Sequence, residues 1–202
     1  MTSEHGFRSF ILKRRLLWLV LVAGFVIVSD QATKYWAKTT LATRSETEDG
    51  QIYYSPSRTI EVVPKAFNFI YRENSAAAFS ITSSLPEWFR RPFLLSVSTI
   101  ATLIFLVWYF RLKEQSALLV TCFCLIMGGA VGNLIDRARL GYVVDFIDVY
   151  AEFLGYTGQH WPTFNVADSS IVVGAIGIFL VSLFAPKPRQ KTDEETSENT
   201  KQ

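Results

Sequence analysis

Two aspartates, Asp145 and Asp168, stand where this chain passes between apolar and polar stretches. Asp145 lies in Tyr142-Val143-Val144-Asp145-Phe146-Ile147-Asp148, which reads as a short strand and gives the acid apolar neighbours. Asp168 opens an apolar run in Phe164-Asn165-Val166-Ala167-Asp168, with Asn165 three residues earlier on the same helical face. Two carboxylates brought close in a low-dielectric site cannot both ionise easily, so one holds a proton and the other stays a base. Such a pair can take a proton from water while protonating the carbonyl or leaving nitrogen of an amide. The sequence leaves open which of the two is the base.

Around them the polar residues follow helical spacing. Asn133, Asp136 and Arg137 fall at i, i+3 and i+4 and share one face of a continuing helix. Gly128, Gly129 and Gly132 precede them and allow close backbone approach. Asn133, Arg137 and Asn165 can hold a substrate backbone or orient the acids, whereas Asp136 and Arg137 can also simply pair and fix a helix end. Asp30 and Lys34, at i, i+4, are expected to pair, either on the surface or as a brace for a site. Asn74 fits a turn or cap as readily as a site. Asp168 is expected a turn inside its helix, where desolvation favours sharing a proton.

Other chemistries fit less well. Four acids, Asp136, Asp145, Asp148 and Asp168, could hold Mg²⁺ or Ca²⁺, but Arg137 and Arg139 offset their charge, so no metal and no other cofactor is expected. His5 and His160 are too far apart in sequence for a zinc pattern. His160 has Ser169 and Ser170 nearby in sequence but no triad partner in a fitting place. Cys122 and Cys124, at i, i+2, point apart on a helix and serve as small apolar fillers.

The elements that must carry these residues are membrane spans. Half of the 202 residues are apolar, gathered in four blocks with few internal charges. A net charge of +2 points to no nucleic-acid partner. An all-α membrane protein is expected, as one domain over 1–185 with spans at about 10–36, 92–110, 116–135 and 164–185. Polar segments 37–91 and 136–163 would lie outside, and 186–202 would be a polar cytoplasmic tail. A basic start and short apolar core also fit a signal peptide, but the helical pattern runs on through Trp36. Residues 37–63 read as an exposed loop, residues 59–63 and 66–72 as short strands, and 84–91 as a short helix on the membrane surface.

These motifs resemble bacterial lipoprotein signal peptidase, or signal peptidase II, an aspartic protease of the inner membrane. The matching residues are Asp30 and Lys34, Asn74-Ser75-Ala76-Ala77-Ala78-Phe79, Gly128 to Arg137, Val144-Asp145-Phe146 and Phe164-Asn165-Val166-Ala167-Asp168, spread in order over most of the chain. The resemblance implies Asp145 and Asp168 as the catalytic pair. It implies that Asn74, Asn133, Asp136, Arg137 and Asn165 line or brace the site, with Asp30 and Lys34 in support. It further implies an extracytoplasmic β-cradle over 58–72, and prolipoproteins cut before a diacylglyceryl cysteine as substrates. Membrane lipid is the expected surroundings and a monomer the expected state. Ala76 stands where the family usually has Gly, and segments 39–57 and 150–160 are longer than its pattern. The rival is a proton-coupled carrier or ion pathway built on intramembrane carboxylates; it would want its acids at mid-membrane between repeated halves, and no repeat is seen. A membrane scaffold is a third reading, which leaves the Asn–Asp pairs without a purpose.

Lys and Arg density in the segments 1–15, 111–115 and 186–202 places both termini in the cytoplasm and the polar cluster on the outer face. In a background lacking Cys122 and Cys124, Ser3→Cys and Gln202→Cys should be shielded from an impermeant thiol reagent in intact cells. Ser55→Cys should react. Labelling at 202 would reverse the orientation.

Overall fold

The computed structural model describes residues 12–50, 52–75, 86–112, 116–150 and 160–184. Four helices carry it: α1 (Leu12–Thr40), α2 (Glu87–Arg111), α3 (Ala117–Leu140) and α4 (Val166–Phe184). All four are long and apolar enough to cross a bilayer. Large apolar side chains point away from the protein, among them Phe25 at 74% and Phe179 at 64% exposure. A water-facing surface does not carry so much exposed hydrocarbon.

α3 is the central helix and packs against the other three. Its glycines explain how close they come. A Cβ on Gly128 would lie 2.7 Å from Val26 Cβ and 3.0 Å from the Ala23 carbonyl of α1, beside a π-helical turn at Leu19–Ala23. A Cβ on Gly129 would collide with the Ala167 carbonyl of α4. At the end far from the polar cluster, Tyr109, Val120, Phe123 and Cys124 form a core that α1 also joins. There the Tyr109 hydroxyl donates to the Arg15 carbonyl at 2.7 Å. Both cysteines are buried and free, as the filler reading requires.

The polar end carries two small sheets. β1 (Ala42–Glu46) and β2 (Ile52–Pro56) form an antiparallel hairpin, with Arg44 opposite Tyr54. β3 (Ile60–Val63), β4 (Phe67–Asn74) and β5 (Val143–Val149) form an antiparallel sheet in that order. A core of Ala37, Leu41, Tyr71, Val144 and Phe146 joins the sheet to the end of α1, with the Trp36 ring edge-on to Phe69 at 5.3 Å.

Several boundaries differ from the sequence reading. The expected loop over 39–57 is largely the hairpin, held by main-chain pairing and by Tyr54 rather than by an alternating apolar face. α1 and α3 run past their apolar text, to Thr40 and Leu140 instead of 36 and 135, because their last turns pack on the sheet core through Ala37 and Leu140. The surface helix expected at 84–91 is instead the start of α2, which begins after Pro86 and runs unbroken through Pro92. Residues 84, 85 and the Ala76 position lie outside the described residues, as do 151–159.

Gly129→Ala should strain the α3–α4 contact, since neither the Ala167 backbone nor α3 can give way cheaply. Overpacking of this kind costs about 1–3 kcal/mol. A thermal melt in detergent should show a clearly lower midpoint than the wild type.

Candidate active site

At the polar end of the bundle, Lys34 sits between two carboxylates. Its ammonium lies 2.8 Å from Asp30 and 2.9 Å from Asp136, and all three side chains are buried. Asp30 and Lys34 meet because they are one turn apart on α1; Asp136 comes from α3. The expected Asp136–Arg137 pair is therefore replaced by Asp136–Lys34. Gln31, which the sequence reading passed over, donates to Asp136 Oδ1 at 2.9 Å and to the Gly132 carbonyl at 3.3 Å. Its signal was its place beside Asp30 at the polar end of a span. A Cβ on Gly132 would lie 2.7 Å from Asp30 Oδ2, so this glycine makes room for the triad.

The triad spends its remaining acceptors on backbone. Asp30 Oδ1 accepts from the Ala167 N–H at 2.9 Å, in the first turn of α4. Asn165 Oδ1 accepts from the Asp168 N–H at 2.9 Å, an N-cap bond. Asp136 Oδ2 accepts from the Val144 N–H at 3.1 Å and fixes the start of β5. Between α3 and β5 the chain reverses at Gly141, whose φ of +81° suits a residue without a side chain.

From Lys34 a chain of amides leads to both candidate acids. Lys34 donates to Asn133 Oδ1 at 2.9 Å, and Asn133 Nδ2 donates to Asp168 Oδ1 at 2.7 Å. Asn165 Nδ2 lies 3.2 Å from the same Asn133 oxygen and 2.8 Å from Asp145 Oδ1. Asn74 Nδ2 donates to Asp145 Oδ2 at 2.9 Å. Asn74 can do so because it faces Val143 across the sheet, and Asp145, two residues on, shows its side chain on the same face. Every residue selected from the sequence is thus in one network or, for Arg137, on the wall of the same cavity.

That cavity holds about 610 Å³. Asn74, Asn133, Arg137 and Asp168 line its polar end; Ile171, Val172 and Val173 of α4, with Trp161, give it an apolar flank. The residues 160–164 reach it by pairing with β5, Trp161 N–H to Val149 and Phe164 N–H to Ile147. The two acids differ in setting. Asp168 is in the first turn of α4, not a turn deeper, and is partly exposed. Asp145 is the sealed one, at 1% exposure. Burial, then the charge of Asp168, pushes Asp145 up to about 7, against the opposing pull of the Asn74 and Asn165 amides and of Lys34.

The four acids considered for a metal do not gather. Asp136 is turned to Lys34, and Asp148 bonds His160 Nδ1 at 2.8 Å on the outer side of the sheet. His160 stacks on Tyr150 there, at 4.7 Å between ring centroids, and is engaged with Asp148.

Likeness to known proteins decides what this arrangement belongs to. The family described as signal peptidase (SPase) II matches residues 22–184. The chain belongs to the signal peptidase II family. A lipoprotein signal peptidase of Geobacter metallireducens is 38% identical over 173 residues, 86% of this chain and 94% of the relative. One from Acinetobacter baumannii is 38% identical over 179 residues, 89% of this chain and 90% of the relative. A solved structure titled a bacterial membrane enzyme, determined in meso at 2.3 Å, superposes with a TM-score of 0.66 at 29% identity, covering 86% of this chain and 93% of that one. This member of the signal peptidase II family is a multi-pass membrane peptidase, and the family is of the aspartic type. The carrier reading finds no support in these likenesses.

Lys34→Ala would leave Asp30 and Asp136 buried without their cation. Breaking a buried pair by removing one partner costs about 3–5 kcal/mol. The variant should melt far below wild type in detergent, whereas Arg139→Ala, at an exposed position, should stay within about 0.5 kcal/mol.

Proposed function

We propose that this peptidase removes signal peptides from prolipoproteins, cutting before a diacylglyceryl-modified cysteine, with Asp145 and Asp168 as the catalytic pair. The observation that carries the reading is the amide chain Asp145–Asn165–Asn133–Asp168, which joins the two acids beside a cavity with an apolar flank. Asp168, at the cavity wall and in the first turn of a helix, takes a proton from the attacking water. Asp145, sealed and holding a proton near neutral pH, gives it to the scissile carbonyl oxygen. The water oxygen bonds to the carbonyl carbon. The C–N bond then breaks as Asp168 passes the proton it took from water to the leaving nitrogen, and the hydroxyl formed on the carbonyl oxygen returns its proton to Asp145 as C=O re-forms. Because Asn74 occupies one Asp145 oxygen, its amide yields that place when the peptide enters. Arg137, in the cavity wall, holds the peptide backbone.

The acyl chains of the substrate stay in lipid, where burial is worth about 0.8 kcal/mol per CH₂. They thereby fix the depth of the scissile bond, and Ile171, Val172 and Val173 form the flank that such chains would follow. The protein works as a monomer in the bacterial inner membrane, with its termini in the cytoplasm and its site at the outer face.

Two tests bear on this. Asp145→Asn and Asp168→Asn should each reduce cleavage of a lipidated precursor by on the order of 10²-fold or more, with the protein still in the membrane; Asp148→Asn should be mild. The same precursor with an unmodified cysteine should be cut poorly, and equal cleavage of both forms would remove the lipid from recognition.

The pH profile gives a separate check. Asp145 carries its proton below about 7 and loses it above, so kcat/KM should fall as pH rises through neutrality. Asn74 favours the ionised form by donating to it; Asn74→Ala should therefore raise the pKa and move that descending limb to higher pH. A limb that stays put or moves down would separate it from Asp145.

A further inference from the structure

A second cavity lies on the other side of the buried triad. It holds about 320 Å³ and is lined by the ends of α1 and α3 and by Tyr54 of β2. Its charged lining is Lys34, Lys38, Arg139 and Asp136, three cations and one carboxylate. Lys34 and Asp136 face each other within the triad. Lys38 and Arg139 are the cations of this lining outside the triad. Lys38 rests over the Tyr54 ring at 3.9 Å, and Arg139 is exposed. Among the described residues no carboxylate lies within 4.0 Å of either. Glu73, the other acid in electrostatic reach of Lys38, accepts from the Tyr71 hydroxyl at 2.8 Å.

Helix ends attract cations, which accounts for a basic residue in the last turn of α1 or of α3. It does not account for cations of two helices sharing one hollow, each raising the cost of the other. An anion resolves that cost. The cavity also borders an exposed apolar face of α1. Tyr35, on its wall, is 72% exposed, and Val28, two turns earlier on the same face of α1, is 68% exposed. At about 320 Å³ it is at the lower end of small-ligand cavities, the size of a headgroup rather than a whole lipid.

We propose that this hollow between the polar ends of α1 and α3 is a binding site for a phosphate anion, held by Lys38 and Arg139 and presented by an anionic lipid headgroup or free in solution. Occupancy bears on the peptidase through shared walls, because Lys34 and Asp136 floor this cavity and also anchor Asn133 and β5.

The test is a binding measurement on the full-length protein, independent of cleavage. In nanodiscs of phosphatidylcholine with and without phosphatidylglycerol, native mass spectrometry would read which lipid stays bound. Wild type should retain phosphatidylglycerol over phosphatidylcholine. Lys38→Gln and Arg139→Gln should each weaken that retention by on the order of 5-fold, and together abolish the preference. The charge-keeping exchange of Lys38→Arg with Arg139→Lys should preserve it; its loss there would assign the effect to packing and overturn the proposal. A preference unchanged in the double glutamine variant would also overturn it. If wild type shows no lipid preference but inorganic phosphate raises its melting midpoint, and not that of the double variant, the site stands and the anion is free phosphate. Wild type indifferent to both lipid and phosphate overturns the site, whatever the variants do.

Discussion

One buried ammonium has to satisfy two buried carboxylates, and much of the polar end follows from that. Lys34 alone cannot neutralise both Asp30 and Asp136. The excess negative charge is spread over N–H donors: Ala167 on Asp30, Val144 and Gln31 on Asp136. Those donors belong to α4, β5 and α1. The electrostatic demand of the triad therefore sets where α4 begins and where β5 leaves α3. A buried ion pair replaced by well-packed hydrocarbon is often no less stable, so here the gain is position rather than stability.

Much of this was legible. The i, i+3, i+4 spacing of Asn133, Asp136 and Arg137 put the right side chains on one end of α3, and the Asp30–Lys34 spacing made their pairing a matter of helix geometry. Their further partners were not legible, because spacing within one helix says nothing about the side chain arriving from another. Asp136 reads naturally with its neighbour Arg137, yet its cation comes from α1, 102 positions away. The hairpin of β1 and β2 is not legible because Ala42-Thr43-Arg44-Ser45-Glu46 has no apolar face; its pairing is main-chain and its anchor is the aromatic contact of Tyr54. The apolar text runs from Phe164 and so puts Asp168 too deep, whereas the Asn165 cap starts the helix at Val166.

The two acids also show how like residues acquire unlike settings. Asp168 sits at a helix start facing the cavity, and Asp145 sits on a strand behind two amides. The sheet supplies the low-dielectric side and the bundle supplies the open side. Each half of the pair is built by a different kind of secondary structure, and Asn133 and Asn165 join them. Changes in the outer sheet thus reach Asp145 without passing through the bundle.

Asn165 binds Asp145 with its nitrogen and caps α4 with its oxygen. Both ends of one amide are engaged, and no other side chain of that length offers a donor and an acceptor in the same fork. Aspartate would keep the cap and place a third carboxylate against the pair; serine or alanine would leave Asp145 with Asn74 as its amide donor. A molecule that bound the acids by competing for that amide would leave the chain few ways to escape it by mutation, because the change that spoils its binding also loosens the start of a membrane helix.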